Sequence, residues 1–211
     1  MKNLVAFILI IVTSCCDVKS MNTPFSRVIF PVTLTEACVL RPFNEHDAKR
    51  LSEVIDENRD FLRLTLGWLD GFHSEEDSLT FIKQAIVNYS DGLALSLCIE
   101  CSGDIVGTIV FNKIEENQED HTLCGDIGYW LAKSMNGRGI MTAAVKAIVK
   151  IGFEVYLLDK IFIRCGTTNK ESRRVAERCG FELQNEIKEA ENLYGTLIDH
   201  YLFVLVKPSE T

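Results

Sequence analysis

The sequence predicts a single α/β domain of the α+β kind, with a mixed, mostly antiparallel central sheet and helices on both faces. Two observations predict this class. Strand-like segments alternate with segments that repeat apolar residues at helical spacing, in the order β-α-α-β-β-β-α-β-α-β-β. In addition, 211 residues, of which 47% are hydrophobic and 25% charged, suffice for one globular domain with a substantial core.

The first half of the chain is predicted to hold one strand and two helices. In order, the elements are a strand at 33–41, a helix at 45–58, a leucine-rich mixed segment at 60–72 and a helix at 75–89. Pro42 interrupts the strand, and Asn44 is a residue type that caps helices. Ser74 with Asp77 three residues later forms a variant capping box, which fixes the start of the second helix.

The second half is predicted to supply most of the sheet. The elements are strands at 94–101 and 105–114, an acidic loop at 115–120, a strand at 125–131, a helix at 139–154, a strand at 160–164, a helix at 170–179 and strands at 181–188 and 198–206. Gly180 ends the last helix, as glycine commonly does. No internal repeat, low-complexity tract or linker divides the sequence, so one domain is expected.

The charge of the chain bears on its partners. The formal net charge is −8, with 30 acidic residues against 22 basic ones. Nucleic acids bind to basic surfaces, so the sequence gives no support for a nucleic-acid partner. An acidic surface suits a basic or amine-bearing partner instead.

Eight cysteines need an interpretation. Two lie near the N-terminus, and the other six are Cys38, Cys98, Cys101, Cys124, Cys165 and Cys179. Positions three apart on a strand point to opposite faces, which argues against a paired Cys98-x-x-Cys101 motif. We predict that all six are free thiols, mostly small core residues, which fits a reducing cytoplasm.

Residues 1–20 resemble a targeting segment. Lys2 precedes an apolar run, and the segment ending at Cys15 loosely resembles a lipoprotein cleavage box. Two interpretations stay open: an export or membrane-anchoring signal, or a spurious extension with Met21 as the real start. The cosubstrate inferred below is cytoplasmic, so the prediction favours the second, with the domain at 21–211 and membrane association only if the signal is real.

A glycine-containing loop is the strongest functional signal. It follows the strand at 125–131 and reads Asn136-Gly137-Arg138-Gly139-Ile140-Met141 before a helix. Unpaired N–H groups and the positive helix end at such a junction suit a pyrophosphate, and glycine lets the anion approach the backbone. Such a loop can equally be an ordinary turn, so the neighbouring motifs decide.

Those motifs resemble the GNAT acetyltransferase superfamily. The resemblance rests on the strand order, the loop, and Asn169-Lys170-Glu171-Ser172 followed by Gly180-Phe181. Within the superfamily, two stretches are similar to the RimJ/RimL branch of ribosomal-protein N-terminal acetyltransferases. They are the stretch from Ile127 to Thr142, and the late stretch 188–195 with the Asp199-His200 that follows it. The resemblance covers residues 33–206.

The resemblance implies acetyl-CoA as cosubstrate, no metal, and a tendency toward homodimers. It also implies that the parallel strands 125–131 and 160–164 splay apart around the pantetheine arm. The implied cofactor-binding residues are Ile127, Gly128, Tyr129, Asn136, Gly137, Arg138, Gly139, Ile140, Met141, Thr142 and Asn169. Asn136 and Met141 depart from the usual loop pattern, but backbone N–H groups do most of the binding, and Arg138 could add a charge-assisted contact.

The catalytic candidates also come from the resemblance. Transfer of acetyl to an amine requires a base for the amine and an acid for the leaving thiolate. The RimL resemblance implies Ser172 as general acid and Glu191 as general base. From spacing alone, Ser172 equally belongs to the first turn of a helix capped by Asn169, and Glu191 is an ordinary exposed glutamate. His200 is another candidate base.

The acceptor site is the least determined part. Trp68 is expected to line it, although a core position is equally consistent, and Asp126 is an alternative carboxylate there. The resulting prediction is an acetyl-CoA-dependent N-acetyltransferase acting on a protein N-terminal amine. Alternatives are a polyamine or antibiotic acetyltransferase and a non-catalytic acyl-CoA sensor.

Overall fold

The computed structural model describes residues 28–208, which form an eight-stranded sheet and five α-helices. The strands are β1 (Val32–Thr33), β2 (Cys38–Pro42), β3 (Leu95–Cys101), β4 (Asp104–Glu116), β5 (Leu123–Leu131), β6 (Lys160–Gly166), β7 (Glu182–Leu193) and β8 (Thr196–Val206). The helices are α1 (Ala48–Glu57), α2 (Arg59–Leu62), α3 (Glu75–Asp91), α4 (Ile140–Glu154) and α5 (Lys170–Arg178). The predictions for residues 1–20 and for a start at Met21 lie outside the described residues.

The sheet has the predicted mixed character. Its strand order is β1-β2-β3-β4-β5-β6-β8-β7. Only β5 and β6 pair in parallel among the described strands, and every other neighbouring pair is antiparallel. A parallel pair needs a crossover, which α4 provides. The fold class predicted from the sequence is therefore confirmed.

Helices cover both faces of the sheet. Along β3, Leu97 and Ile99 belong to one buried cluster, which also contains residues of α4 and α5. Cys98 between them belongs to a second cluster, which contains residues of α1 and α3. Because side chains of a strand alternate between faces, the two clusters lie on opposite sides of the sheet.

Capping side chains fix the starts of the first helices, as predicted. The Asp77 N–H donates to Ser74 Oγ at 3.1 Å, and the Ser74 N–H donates to Asp77 Oδ2 at 2.9 Å. Asn44 and Asp47 form an equivalent box before α1, which begins with a short 3₁₀ turn. Both boxes satisfy N–H groups that a helix start leaves unpaired.

Strand boundaries differ most clearly from the prediction at three places. The strand expected at 33–41 is two strands, because Thr35 Oγ1 accepts from the N–H groups of Ala37 and Cys38 and forms a turn. β4 extends into the acidic segment as far as Glu116. β7 continues to Leu193, five residues beyond the expected end at 188, because the chain turns back tightly and residues 191–193 still pair with β8.

The prediction that six cysteines are free thiols is wrong for two of them. Cys38 and Cys101 form a disulfide with an S–S distance of 2.02 Å. They are direct partners in the antiparallel pairing of β2 with β3, so the strand register brings together residues that are 63 positions apart. Cys98 points to the opposite face, as expected, and is a free thiol. With this disulfide, cysteine usage no longer argues for a reducing compartment, and a cytoplasmic location stays a prediction.

None of the helices within residues 28–208 combines the length and the apolar composition that a membrane-spanning helix needs.

Candidate active site

The parallel strands β5 and β6 separate in the middle of the sheet. Their pairing begins at Cys124 and Lys160 and ends at Ile127 and Ile163, although both strands continue beyond it. Past this point β6 pairs only with β8, as far as Gly166. The two strands therefore diverge on the carboxyl side of Ile127, and backbone groups of β5 there have no partner on β6. This matches the splay that the resemblance implied.

The glycine loop has a backbone conformation that glycine adopts readily. Gly137 and Gly139 both have φ of +77°, in the left-handed region. A Cβ at either position would meet no described heavy atom within 4 Å, so the space over the loop is open. Gly139 is the N-cap of α4 and brings no side chain to its first N–H groups. The loop thus presents a positive helix end to an accessible space that an anion can occupy.

The side chains around this loop divide into two groups. Ile140 and Met141 are buried in the core, so only their backbones can contact a cosubstrate. Asn136 donates from its amide to the carbonyls of Ala132 and Lys133, which closes the loop on itself. Arg138 is exposed and borders a cavity of about 330 Å³ between α1 and the β3–β4 turn. Its predicted contact with a phosphate stays a prediction.

A hydroxyl pair lies at the start of α5. Asn169 Oδ1 accepts from the Ser172 N–H at 3.1 Å, so Asn169 is the N-cap that the spacing alone indicated. Ser172 Oγ lies 2.9 Å from the Tyr129 hydroxyl, which reaches across from β5. Burial raises the pKa of Tyr129 above its usual value, so this phenol stays protonated and can donate to Ser172.

Cys165 completes this cluster. It is a buried residue on β6, and Ser172 is among the groups that act on the pKa of its thiol. Burial raises the pKa of Cys165, so the thiol is protonated at neutral pH and is a poor nucleophile. The structure thus offers hydroxyl and thiol donors beside the divergence of β5 and β6, rather than a covalent catalyst.

Glu191 is the best-placed carboxylate on the other side of β6. Its side chain is 21% exposed and its Oε2 lies 3.1 Å from Nε2 of His200, which is 15% exposed. A Cβ at Gly67 would sit 2.6 Å from Glu191 Oε1, so the carboxylate lies directly against the Gly67 backbone. His200 pairs with Gly166 at the end of β6. Two of the three base candidates are therefore in contact with each other, next to the divergence of the strands.

Asp126, the third base candidate, has different partners. Its Oδ2 lies 2.7 Å from Nη2 of Arg164, and the Asn112 amide is 3.5 Å from Oδ1. Asn112 also occupies the space where a side chain at Gly128 would lie, 2.6 Å from a Cβ there. Asp126 is thus neutralised by an arginine, which suits a structural role better than proton transfer.

The segment around Trp68 forms the wall opposite Glu191. Trp68 is partly buried and packs edge-on against Phe72, with ring centroids 5.3 Å apart. The Tyr194 hydroxyl, at the tip of the β7–β8 hairpin, donates to the Leu66 carbonyl at 2.5 Å. Arg63 stacks over the Tyr194 ring at 3.7 Å. The hairpin and this segment therefore enclose Glu191 between them.

Several functional contacts were missed by the sequence interpretation. It considered Tyr129 only for its backbone, placed Gly67 in the acceptor-lining segment without singling it out, and gave no catalytic or binding role to Tyr194 or Cys165. The sequence does carry a signal for the hairpin turn, namely Gly195 at the second turn position. Tyr194 and Gly195 have φ of +52° and +92°, as a tight two-residue hairpin turn requires. Nothing in the sequence indicates the distant contacts of Gly67 and Tyr129.

Among residues 28–208, His, Cys, Asp and Glu side chains form no group of three that could hold a metal ion.

Residues 38–182 match the acetyltransferase (GNAT) domain, and the chain belongs to this family. The ribosomal-protein-serine acetyltransferase of Escherichia coli (strain K12) is 30% identical, over 80% of this chain and 97% of its own length.

Solved structures agree with this assignment. RimL, a ribosomal L7/L12 α-N-protein acetyltransferase in complex with coenzyme A, has a TM-score of 0.78 at 26% identity and covers 84% of this chain and 98% of its own. The microcin C7 self-immunity acetyltransferase MccE, in complex with acetyl-CoA and AMP, has a TM-score of 0.77 at 26% identity, with 84% and 96% covered. The protein is an acetyl-CoA-dependent N-acetyltransferase, and the predicted resemblance to the RimJ/RimL branch is confirmed.

Proposed function

We propose that the protein acetylates the N-terminal α-amine of a protein substrate, of the kind modified by ribosomal-protein acetyltransferases. The observation that carries the proposal is the position of Glu191, held against Gly67 and His200 between the hairpin and the Trp68 segment. A carboxylate enclosed in this way can take a proton from an amine that enters from outside. The relatives named for ribosomal-protein acetylation support a protein acceptor.

The residues around the loop fit acetyl-CoA. The open space over Gly137 and Gly139, together with the uncapped start of α4, suits the pyrophosphate. The diverging edge of β5 after Ile127 suits the pantetheine arm, and Gly128 and Tyr129 would contribute backbone groups there. When bound, acetyl-CoA supplies an acetyl thioester that an amine can attack without a covalent enzyme intermediate.

The proton transfers are assigned to two side chains. Glu191 Oε1 accepts a proton from the incoming amine, and His200 Nε2 holds the other carboxylate oxygen in place. Ser172 Oγ holds the proton needed on the thiolate side. The Tyr129 hydroxyl can donate a hydrogen bond to Ser172 Oγ and so hold it in place, because burial keeps the phenol protonated.

The acceptor class can be tested with the full chain. CoA thiol release from acetyl-CoA would be followed with peptides that carry free N-termini, including ribosomal-protein N-termini, and with polyamines and aminoglycosides. The proposal expects release with peptides and none with the same peptides blocked at the N-terminus but retaining a lysine. Release with the small amines alone would favour a small-molecule acceptor, the alternative that the likeness to MccE keeps open.

Binding without turnover is the remaining alternative. Tight acetyl-CoA binding with no release on any acceptor would contradict the enzymatic proposal and favour a sensor. A cytoplasmic location and a homodimer both remain proposals. Gel filtration with light scattering tests the dimer, and fractionation of the producing cells tests the location.

The catalytic roles can be tested with two substitutions. We expect Glu191→Gln and Ser172→Ala to lower kcat by about 10²-fold to 10⁴-fold, the usual contribution of a general acid or base. Acetyl-CoA affinity should stay within about twofold, because neither side chain is assigned to the pyrophosphate site. Glu182→Gln, at the far exposed end of β7, is the matched control and should leave kcat unchanged. Unchanged turnover in both site variants would contradict the assignment.

A further inference from the structure

The strand that carries Glu191 is irregular just before it. β7 pairs Ile187 with His200 and then Glu191 with Ile198. Between these pairs β7 advances four residues whereas β8 advances two, so β7 contains a two-residue bulge. In a regular hairpin, residue 189 would lie opposite Ile198. Relative to the pairing of Ile187 with His200, the bulge therefore shifts Glu191 by two residues, into the register that the tight turn sets at Leu193 and Thr196.

The bulge has an unfavourable backbone conformation. Glu189, at its centre, has φ of +49°, which costs a non-glycine residue free energy. Such a conformation persists only where the surroundings fix it. The stabilising contacts must therefore come from nearby side chains, since the outer edge of β7 pairs with no other described strand.

Asp199 supplies those contacts. Its Oδ1 accepts from the Glu189 N–H at 2.9 Å, and its Oδ2 accepts from Lys188 Nζ at 2.8 Å. Lys188 and the Glu189 N–H together lower the pKa of Asp199, so the carboxylate is charged at neutral pH. The Lys188 ammonium also contacts Glu186, at 2.6 Å.

The same residue also reaches toward the general acid. The Asp199 carbonyl accepts from the Thr167 N–H at 2.9 Å, at the end of β6. Thr167 lies two residues before Asn169, whose side chain caps α5 at Ser172. Asp199 is also followed directly by His200, the partner of Glu191. Its contacts thus extend to the segments that carry both proposed catalytic groups.

We propose that Asp199 is a positioning residue: by holding the bulge of residues 188–190, it sets Glu191 against Gly67 and His200. The inference rests on the proposed role of Glu191 as the base. Asp199 contacts no reacting atom, and its side chain acts through the backbone of β7. Its loss therefore displaces the base without removing it.

The test compares two replacements of Asp199 in the full chain. Asp199→Ala removes the acceptor for the Glu189 N–H, and we expect kcat to fall by about 10-fold to 100-fold, the effect of misplacing a catalytic group by about 1 Å. Asp199→Asn keeps an amide oxygen for the same N–H and should restore kcat to within about threefold of wild type. Lys188→Met, which keeps the Asp199 carboxylate, should behave like Asp199→Asn. The KM for acetyl-CoA should change less than twofold in all three.

A double variant separates positioning from general damage. If Asp199 acts through Glu191, Asp199→Ala combined with Glu191→Gln should be no slower than Glu191→Gln alone, because the displaced group is already inactive. Two results would overturn the inference if Glu191→Gln alone is impaired. One is a double variant whose loss of kcat is the product of the two single losses, and the other is an Asp199→Ala variant with wild-type kcat. Full turnover in Glu191→Gln alone would instead overturn the proposed base, and the positioning role with it.

Discussion

The two halves of the active site are built by different means. The cofactor half consists of β5, β6, the loop at 136–142 and the start of α5. It relies on backbone features, namely two glycines at φ +77°, a helix start and a strand pair that stops at Ile127. The acceptor half consists of residues 59–72 and the β7–β8 hairpin. It relies on side chains that contact residues far away in the sequence, such as the Tyr194 hydroxyl with the Leu66 carbonyl.

This difference has a consequence for how each half tolerates change. A backbone site for an anion depends on open space and on glycine, so one added side chain can block it. The acceptor half depends on the placement of one carboxylate among several contacts, so a change there should alter turnover or acceptor binding and leave cosubstrate binding intact. Each prediction below tests whether the two halves respond separately.

The largest expected effect is on cosubstrate binding. Gly139→Glu places a carboxylate where the pyrophosphate is expected and forces a non-glycine residue to φ +77°. We expect CoA affinity to fall at least about 100-fold, equivalent to about 2.7 kcal/mol. Gly195→Glu is the matched control, because Gly195 has φ +92° in the acceptor half and also faces open space among the described residues. Calorimetric titration with CoA measures both, and equal affinities in the two variants would contradict the division.

A smaller effect is expected from Gly67→Ala. Its Cβ would lie 2.6 Å from Glu191 Oε1, and the flexible carboxylate would move aside at little cost in stability. We expect kcat to fall about 10-fold to 100-fold with unchanged CoA affinity, because the base is misplaced. In the background of Glu191→Gln the same substitution should have no further effect on kcat. A further loss in that background would show that Gly67 acts on something other than Glu191.

Tyr194→Phe should have a modest effect on the acceptor alone. It removes the hydrogen bond to the Leu66 carbonyl, a contribution of about 1 kcal/mol, and loosens the wall of the site. The KM for a peptide acceptor should rise about fivefold. Tyr201→Phe is the control, because Tyr201 contacts Phe203 and Arg173 through its ring. Steady-state kinetics with both substrates varied would reveal any shift in the KM for acetyl-CoA, which is not expected.

The effect that is smallest at neutral pH concerns the stability of the cofactor half, which is expected to change only at high pH. Burial raises the folded-state pKa of Tyr129 above its usual value of 10, so the unfolded chain loses this phenol proton first. The contribution of the Tyr129 phenol to the free energy of unfolding is complete below pH 10. It is lost as the pH rises toward the folded-state pKa, by up to about 1.4 kcal/mol per pH unit. Urea unfolding between pH 9 and pH 11 should show a shallower decline for Tyr129→Phe. Parallel declines would mean that Tyr129 ionises equally in both states.

The sequence indicated the cofactor half far better than the acceptor half. A glycine loop, a helix start and the caps at Asn169 and Ser74 are local features, so their residues lie close together in the chain. The contact of Gly67 with Glu191 joins residues more than a hundred positions apart. No periodicity reports such a contact, because it depends on how the whole sheet is assembled.

Register explains most of the remaining errors. The Cys38–Cys101 disulfide follows from the pairing of β2 with β3, and the place of Glu191 follows from the register of β7 with β8, which a bulge changes just before Glu191. A strand pattern predicts which face a side chain occupies but not which residue lies opposite it. The identities of Ser172 and Glu191 as candidates came from the family resemblance, and their catalytic roles remain to be tested.

The most direct test of the account is the pH dependence of kcat for wild type and Glu191→Gln, with acetyl-CoA and one N-terminal peptide. The account predicts that kcat of the variant is at least about 100-fold lower than that of wild type at neutral pH. This difference should shrink as the pH rises through the pKa of the peptide amine, about 8, because an amine that is already deprotonated needs no base. A variant whose kcat runs parallel to that of wild type at every pH would contradict Glu191 as the base.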